Sequence, residues 1–146
     1  MDKNDIRRKR KARRLALQAM YQWHMTKLDS HEIELQFRIS NDFEKIDVDY
    51  FSRLLHGISQ SISQIDNLYE PYLDRSIDSL NPVERCLLRI GSYELANMLE
   101  IPYKVILDES VNMSREFGAT DAHKYVNGVL NQVAKTLRAT EISEEL

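Results

Sequence analysis

Apolar residues recur along this chain at helical spacing. Over about residues 6–27, Leu15, Ala16, Ala19, Met20 and Trp23 fall within about 140° of a wheel turning about 100° per residue, the stripe of a helix with one face in a core. Ser30 offers a cap for a second helix over about 31–40, and Asn41 to Val48 reads as a polar connection. A long helix is expected over about 49–66 and a shorter one over about 68–78. Asn81-Pro82-Val83-Glu84 is a strong start signal: Asn81 can cap, Pro82 sits where no N–H is missed, and Glu84 can reach back as in a capping box. That helix carries Leu87, Leu88, Ile90, Leu95 and Leu99 and is expected to stop near Ile101-Pro102. Another runs over about 103–116 to Gly118, a suitable C′ residue. Asp121 or Thr120 caps the last, which carries Tyr125, Val126, Val129, Leu130, Val133 and Leu137. The expected fold is all-α. Asn127-Gly128 is a hairpin dipeptide only between strands. Between helical flanks, Gly128 reads as a point of close approach by another backbone or helix, at about 1 kcal/mol of lost propensity.

Composition narrows the class. A chain of 146 residues fits one domain, and its single cysteine, Cys86, excludes an intramolecular disulfide and a multi-Cys zinc site. One thiol, no apolar run of about 18 residues and no secretory leader point to a reducing, cytoplasmic setting.

Charge changes the picture more. Residues 1–14 carry eight basic side chains against Asp2 and Asp5, or +6, while the remainder of the chain carries −9. A basic arm on an acidic body suggests nucleic-acid binding through the arm. Extended upstream, the core stripe meets Arg8 and Lys9, so the helix is expected to leave the core there and, with its cations crowded, to fray on its own. On the opposite face Arg7, Lys11, Arg14 and Gln18 follow one another, with Arg10 and Tyr21 alongside. That surface holds cations for phosphates, an amide for base edges and a ring for stacking, the mix that reads single-stranded RNA. A solvated basic tail or a localisation tag fits the composition equally.

Catalytic patterns are lacking. His24, His31, His56 and His123 are scattered, Cys86 lies among Leu87, Leu88 and Ile90 as a core thiol, and Asp121 and His123 do not share a helix face. Four isolated glycines make no phosphate loop. Neither a catalytic site, a cofactor nor a metal is expected.

Four stretches taken in order are more specific. ARRLALQAMYQW, NPVERCLLRIGSYEL, IPYKVILDESVNMSREFGA and DAHKYVNGVLNQVA resemble successive blocks of the NusB family of bacterial transcription antitermination proteins, over about residues 7–138. The resemblance implies a single domain of about seven helices over residues 7–138; by composition, residues 1–14 are a basic arm leading into helix 1 and 139–146 an acidic tail expected to fray. It implies recognition of boxA in nascent RNA, jointly with ribosomal protein S10 (NusE), in antitermination complexes on RNA polymerase during ribosomal RNA transcription. It is compatible with a monomer and with a homodimer that masks the RNA face, and it implies no catalysis.

The family's arginine-rich segment falls on Arg7, Arg8, Lys9, Arg10, Lys11, Arg13 and Arg14. Its other RNA-facing positions correspond to Gln18, Tyr21, Glu84, Asp121, Lys124 and Tyr125. Carboxylates suit such a site because they accept from exocyclic base amines. Glu84 and Asp121 read equally well as helix caps, and Tyr125 as a core aromatic. Tyr125 stands where the family more often has Phe, Asn131 where it has Asp, Asp108 for Asn and Asn112 for Glu. Two rival readings remain: the NusB-like domain of a ribosomal RNA cytosine methyltransferase, whose cofactor domain needs glycine-rich loops this chain lacks, and a protein-interaction adaptor, which has no need of the basic arm.

Overall fold

The computed structural model describes residues 2–145, and its regular elements are eight α-helices and three single 3-10 turns, with no strand among the described residues. The chain divides into two compact units, one ending at Ile62 and the other beginning at Ser63.

In the first unit, α1 (Lys3–Thr26) packs against α2 (Ser30–Ser40) and α3 (Val48–Gln60), and α2 against α3. Its buried residues include Ala16, Leu17, Met20, Ile33, Phe51, Leu54, Leu55 and Ile58, each larger aliphatic contributing about 1.5–3 kcal/mol on leaving water. The buried stripe of α1 is rotated from expectation: Leu17 is inside, while Leu15 and Trp23 are half-exposed. Two partner helices cover a wider arc than the wheel assigned to one. The arm is also more ordered than its charge suggests, because Asp2 caps α1 by accepting the Asp5 N–H at 2.8 Å. The expected cap of α2, Ser30, is displaced by Asp29, whose carboxylate takes the His31 N–H at 2.8 Å. Ser30 is buried and bonds His56 Nδ1 at 2.7 Å, while His56 Nε2 meets Glu34 Oε1 at 3.0 Å.

The long helix expected over 49–66 is two, α3 and α4 (Ile62–Tyr69), broken at Ser61. Apolar spacing continues across the break through Ile58, Ile65 and Tyr69, which concealed it from the pattern. No separate α-helix forms over 68–78, where Leu68 and Tyr69 only end α4. Pro71 lacks an N–H and Leu73 turns extended (ψ 145°), leaving 3-10 turns at Glu70–Tyr72 and Ile77–Ser79.

In the second unit α5 (Pro82–Asn97), α6 (Tyr103–Phe117) and α7 (Ala122–Leu137) pack mutually around Leu87, Leu88, Ile90, Leu95, Ile106, Met113, Val126 and Leu130. Asn81 caps α5 at the Val83 N–H (2.8 Å), but Glu84 makes no capping-box bond among the described residues. The helix ends earlier than expected, leaving Leu99 exposed. The close approach assigned to Gly128 occurs instead at Gly91, where a Cβ would meet Leu130 Cδ1 at 2.6 Å; a Cβ on Gly128 would meet nothing within 4 Å. Gly118 ends α6 in extended backbone (φ −89°), not in the left-handed form.

The acidic tail is not frayed over its described part. Arg138 is buried and donates to the carbonyls of Leu95 (2.8 Å), Met98 (3.0 Å), Ile101 (2.9 Å) and Glu94 (3.3 Å), the orphan acceptors at the end of α5 and the turn after it. It also holds Glu141 Oε2 at 2.7 Å, which orders α8 (Ala139–Ser143). Glu141 Oε1 accepts the Tyr103 N–H at 3.0 Å, capping α6 where Pro102 has no side-chain acceptor to offer. Among the described residues no helix is long and apolar enough to cross a membrane.

Candidate nucleic-acid interface

The cations of α1 separate into two sets. Lys9 and Arg13 lie on the packed side, with Arg8 at its edge. Arg8 Nη2 donates to the Ile46 carbonyl at 2.8 Å, and Lys9 Nζ to Asp47 Oδ2 at 2.9 Å. Arg13, 3% exposed, donates to the Tyr50 hydroxyl at 2.8 Å with its guanidinium 5.0 Å from that ring's centre. The core stripe therefore continues beneath the arm, contrary to expectation, because charges there meet oppositely charged or accepting partners instead of apolar atoms. Asp47 also caps α3 through the Tyr50 N–H (3.1 Å). Burial raises the Asp47 pKa, but the Lys9 and Tyr50 hydrogen bonds with the Lys9 and Arg8 charges outweigh it and hold the carboxyl below its ordinary value.

On the outer side Arg7, Arg10, Lys11 and Gln18 are exposed, Arg14 is half-exposed and Tyr21 shows 41% of its surface. The side chains of Arg7, Lys11, Gln18 and Tyr21 make no hydrogen bond or ion pair among the described residues. The i, i+4, i+7, i+11 run expected for this face is thus one exposed strip along a formed helix.

The remaining candidates lie in the second unit. Asp121 holds the cap position of α7, yet its side chain makes no cap bond and its backbone is left-handed (φ 67°), which Asp tolerates better than most residues. The capping alternative for Asp121 and the capping box for Glu84 are both unmet, so both carboxylates are uncommitted to the backbone. Lys124 pairs with Asp121 at 3.6 Å, an exposed contact of little energy. Tyr125 is half-buried, not a fully covered core aromatic. Its hydroxyl is shut from solvent near Asp74 without reaching hydrogen-bond geometry, and burial raises its pKa.

One residue here had no signal in the sequence. Arg75 sits with its guanidinium carbon 4.4 Å from the centre of the Tyr125 ring and its Nε 2.7 Å from Asp74 Oδ1. The Asp74 hydrogen bond raises the Arg75 pKa and lowers that of Asp74, and the Glu84 charge acts on Arg75 in the same sense. Arg75 thus lies against Tyr125 and feels the charge of Glu84. The contact spans fifty positions of chain, and its turn lies where a helix was expected.

Among the described residues no group of three His, Cys, Asp or Glu side chains is placed to hold a metal ion. A family model described as the NusB family matches residues 10–135. A transcription antitermination protein NusB of Legionella pneumophila (strain Corby) is 54% identical over 98% of this chain and 97% of its own length. That of Pseudomonas fluorescens (strain Pf0-1) is 46% identical over 92% of this chain and 81% of its own. The solved structure of T. maritima NusB superposes with a TM-score of 0.74 at 32% identity, covering 87% of this chain and 90% of that one. These relatives are named as antitermination proteins, not as enzymes. With its helices, its blocks and nearly its whole length accounted for in this way, the chain belongs to the NusB family of transcription antitermination proteins.

Proposed function

We propose that this chain is an antitermination factor that recognises boxA RNA jointly with ribosomal protein S10, within the antitermination complex on RNA polymerase. The observation that carries the RNA reading is the division of the arm. Arg8, Lys9 and Arg13 are engaged inside the first unit, while the side chains of Arg7 and Lys11 stand exposed without a bond among the described residues, on the outer side that also carries Arg10, Arg14, Gln18 and Tyr21. A tail selected only for charge has no reason to sort its cations by face. The outer strip supplies phosphate contacts. Glu84, Asp121, Lys124 and Tyr125 in the second unit supply groups suited to bases, since carboxylates accept from exocyclic amines and rings stack.

A titration against boxA and scrambled RNA, each with and without S10, tests this. Four outward cations predict a log–log salt slope of about −3 on single-stranded RNA, so affinity falls about fifty-fold from 50 to 200 mM salt. S10 is expected to tighten RNA binding, and RNA to tighten S10 binding by the same factor. Equal affinity for the two RNAs, or uncoupled S10 and RNA titrations, would defeat the joint-recognition reading.

A further inference from the structure

We infer that Arg75, which neither the sequence pattern nor the family resemblance singled out, is a base-stacking residue of the RNA site, presenting the outer face of its guanidinium to a nucleobase. The inference rests on the RNA reading above and deepens it.

Three features of the Arg75 environment support it. Tyr125 backs the guanidinium from one side at 4.4 Å, which places the arginine where a base stacking on that ring face would go. Asp74 holds the guanidinium edge through two contacts, Nε to Oδ1 at 2.7 Å and Nη2 to Oδ2 at 3.4 Å, fixing the plane of the group. The side chain is nevertheless 47% exposed, and Nη1 makes no hydrogen bond among the described residues. A plane backed by a ring, clamped at one edge and open at the other is a stacking platform with donors left for a base edge.

The surroundings favour a base over a phosphate. Asp74 pairs with Arg75, and the Glu84 charge acts on it as well. A phosphate approaching Arg75 meets this negative charge. A nucleobase is neutral, and its exocyclic amines give the same carboxylates something to accept. Tyr125 then acts through Arg75 on this face, as the support of the platform and not as its surface.

The test compares the full-length chain with R75K and R75A, titrated with a boxA oligonucleotide and a scrambled one over a range of salt. The oligonucleotide also carries 2-aminopurine at single positions in turn. R75K keeps the charge and loses the plane, so both variants are expected to weaken boxA binding by about ten-fold, with the salt slope unchanged. One 2-aminopurine position is expected to change its emission on binding the wild-type chain and to lose that change with R75K, a signature that a merely structural role for Arg75 would not move. Wild-type affinity in R75K, or a slope shallower by about 0.7 in R75A alone, would make Arg75 a charge contact and overturn the stacking assignment. If wild type binds both RNAs equally and R75K weakens both, stacking stands and boxA recognition falls; if wild type binds neither, both fall.

Discussion

On the outer face of α1, the Arg7 and Lys11 side chains stand exposed with no hydrogen bond or ion pair among the described residues, whereas in the second unit Arg89 and Arg138 are buried and hydrogen-bonded. Arg89 grips Asp66 through Nε (2.9 Å) and Nη2 (3.0 Å), and Arg138 gathers four backbone carbonyls and Glu141. The same positive charge completes a fold inside one unit and is left without a side-chain partner among the described residues on the outer face of α1 in the other. What separates the two uses is whether the acceptors belong to the chain. Arg8, Lys9 and Arg13 show that the rule also operates within one helix, since each has an acceptor on the segment from Ile46 to Tyr50.

The largest effect is expected from a buried cation. R138M removes the donors for the carbonyls of Glu94, Leu95, Met98 and Ile101, and is expected to cost about 3–5 kcal/mol in urea unfolding. The folded fraction should still bind RNA with wild-type affinity; a stability loss under 1 kcal/mol would break the contrast.

Asp66 comes next. Burial raises its pKa, but Arg89, the Tyr69 hydroxyl (2.6 Å) and the Arg85 charge outweigh it, so the folded value lies below the ordinary 3.8. Its contribution is therefore complete above about pH 5 and is lost as pH falls through 3.8 toward the lower folded value. D66N is expected to cost about 2–3 kcal/mol at pH 7 and progressively less as pH falls below 3.8, read from urea midpoints across pH. A constant difference over that range would place the stabilisation elsewhere.

Outer cations should behave in reverse. The double variant R7A/K11A is expected to leave unfolding within about 0.5 kcal/mol of wild type, to weaken RNA binding about ten-fold at moderate salt, and to make the salt slope shallower by about 1.4. Loss of stability without loss of affinity would move these residues into the structural set.

The smallest change is expected at Gly128. It lies within α7 with nothing within 4 Å of where a Cβ would stand, so G128A should raise stability by about 0.5–1 kcal/mol in the same urea assay. At Gly91 the same substitution meets Leu130 at 2.6 Å and should destabilise instead.

The chain's local chemistry made much of this legible. Helical spacing placed α1, α2, α5, α6 and α7 within a few residues of their observed bounds, and Asn81-Pro82 located the start of α5. The break at Ser61 and the loss of a helix over 68–78 were hidden, because a one-residue interruption preserves apolar spacing and single 3-10 turns carry no period. For the site, the outer face of α1 could be drawn from the wheel, since exposure there needs only one helix. Which basic residues are engaged could not, because their acceptors Ile46, Asp47 and Tyr50 come from a different element.

Periodicity, caps and charge, which act within a few residues or one turn, were enough to determine from sequence alone that this is an all-α chain with a basic first helix, and blocks in order identified its family. Tertiary structure decided what depends on distant partners: that Gly91 and not Gly128 carries a close helix contact, that Arg138 and Glu141 order the acidic tail, and that Arg75 lies on Tyr125. Contacts between residues tens of positions apart depend on how helices are placed in three dimensions, and no local spacing rule encodes that placement.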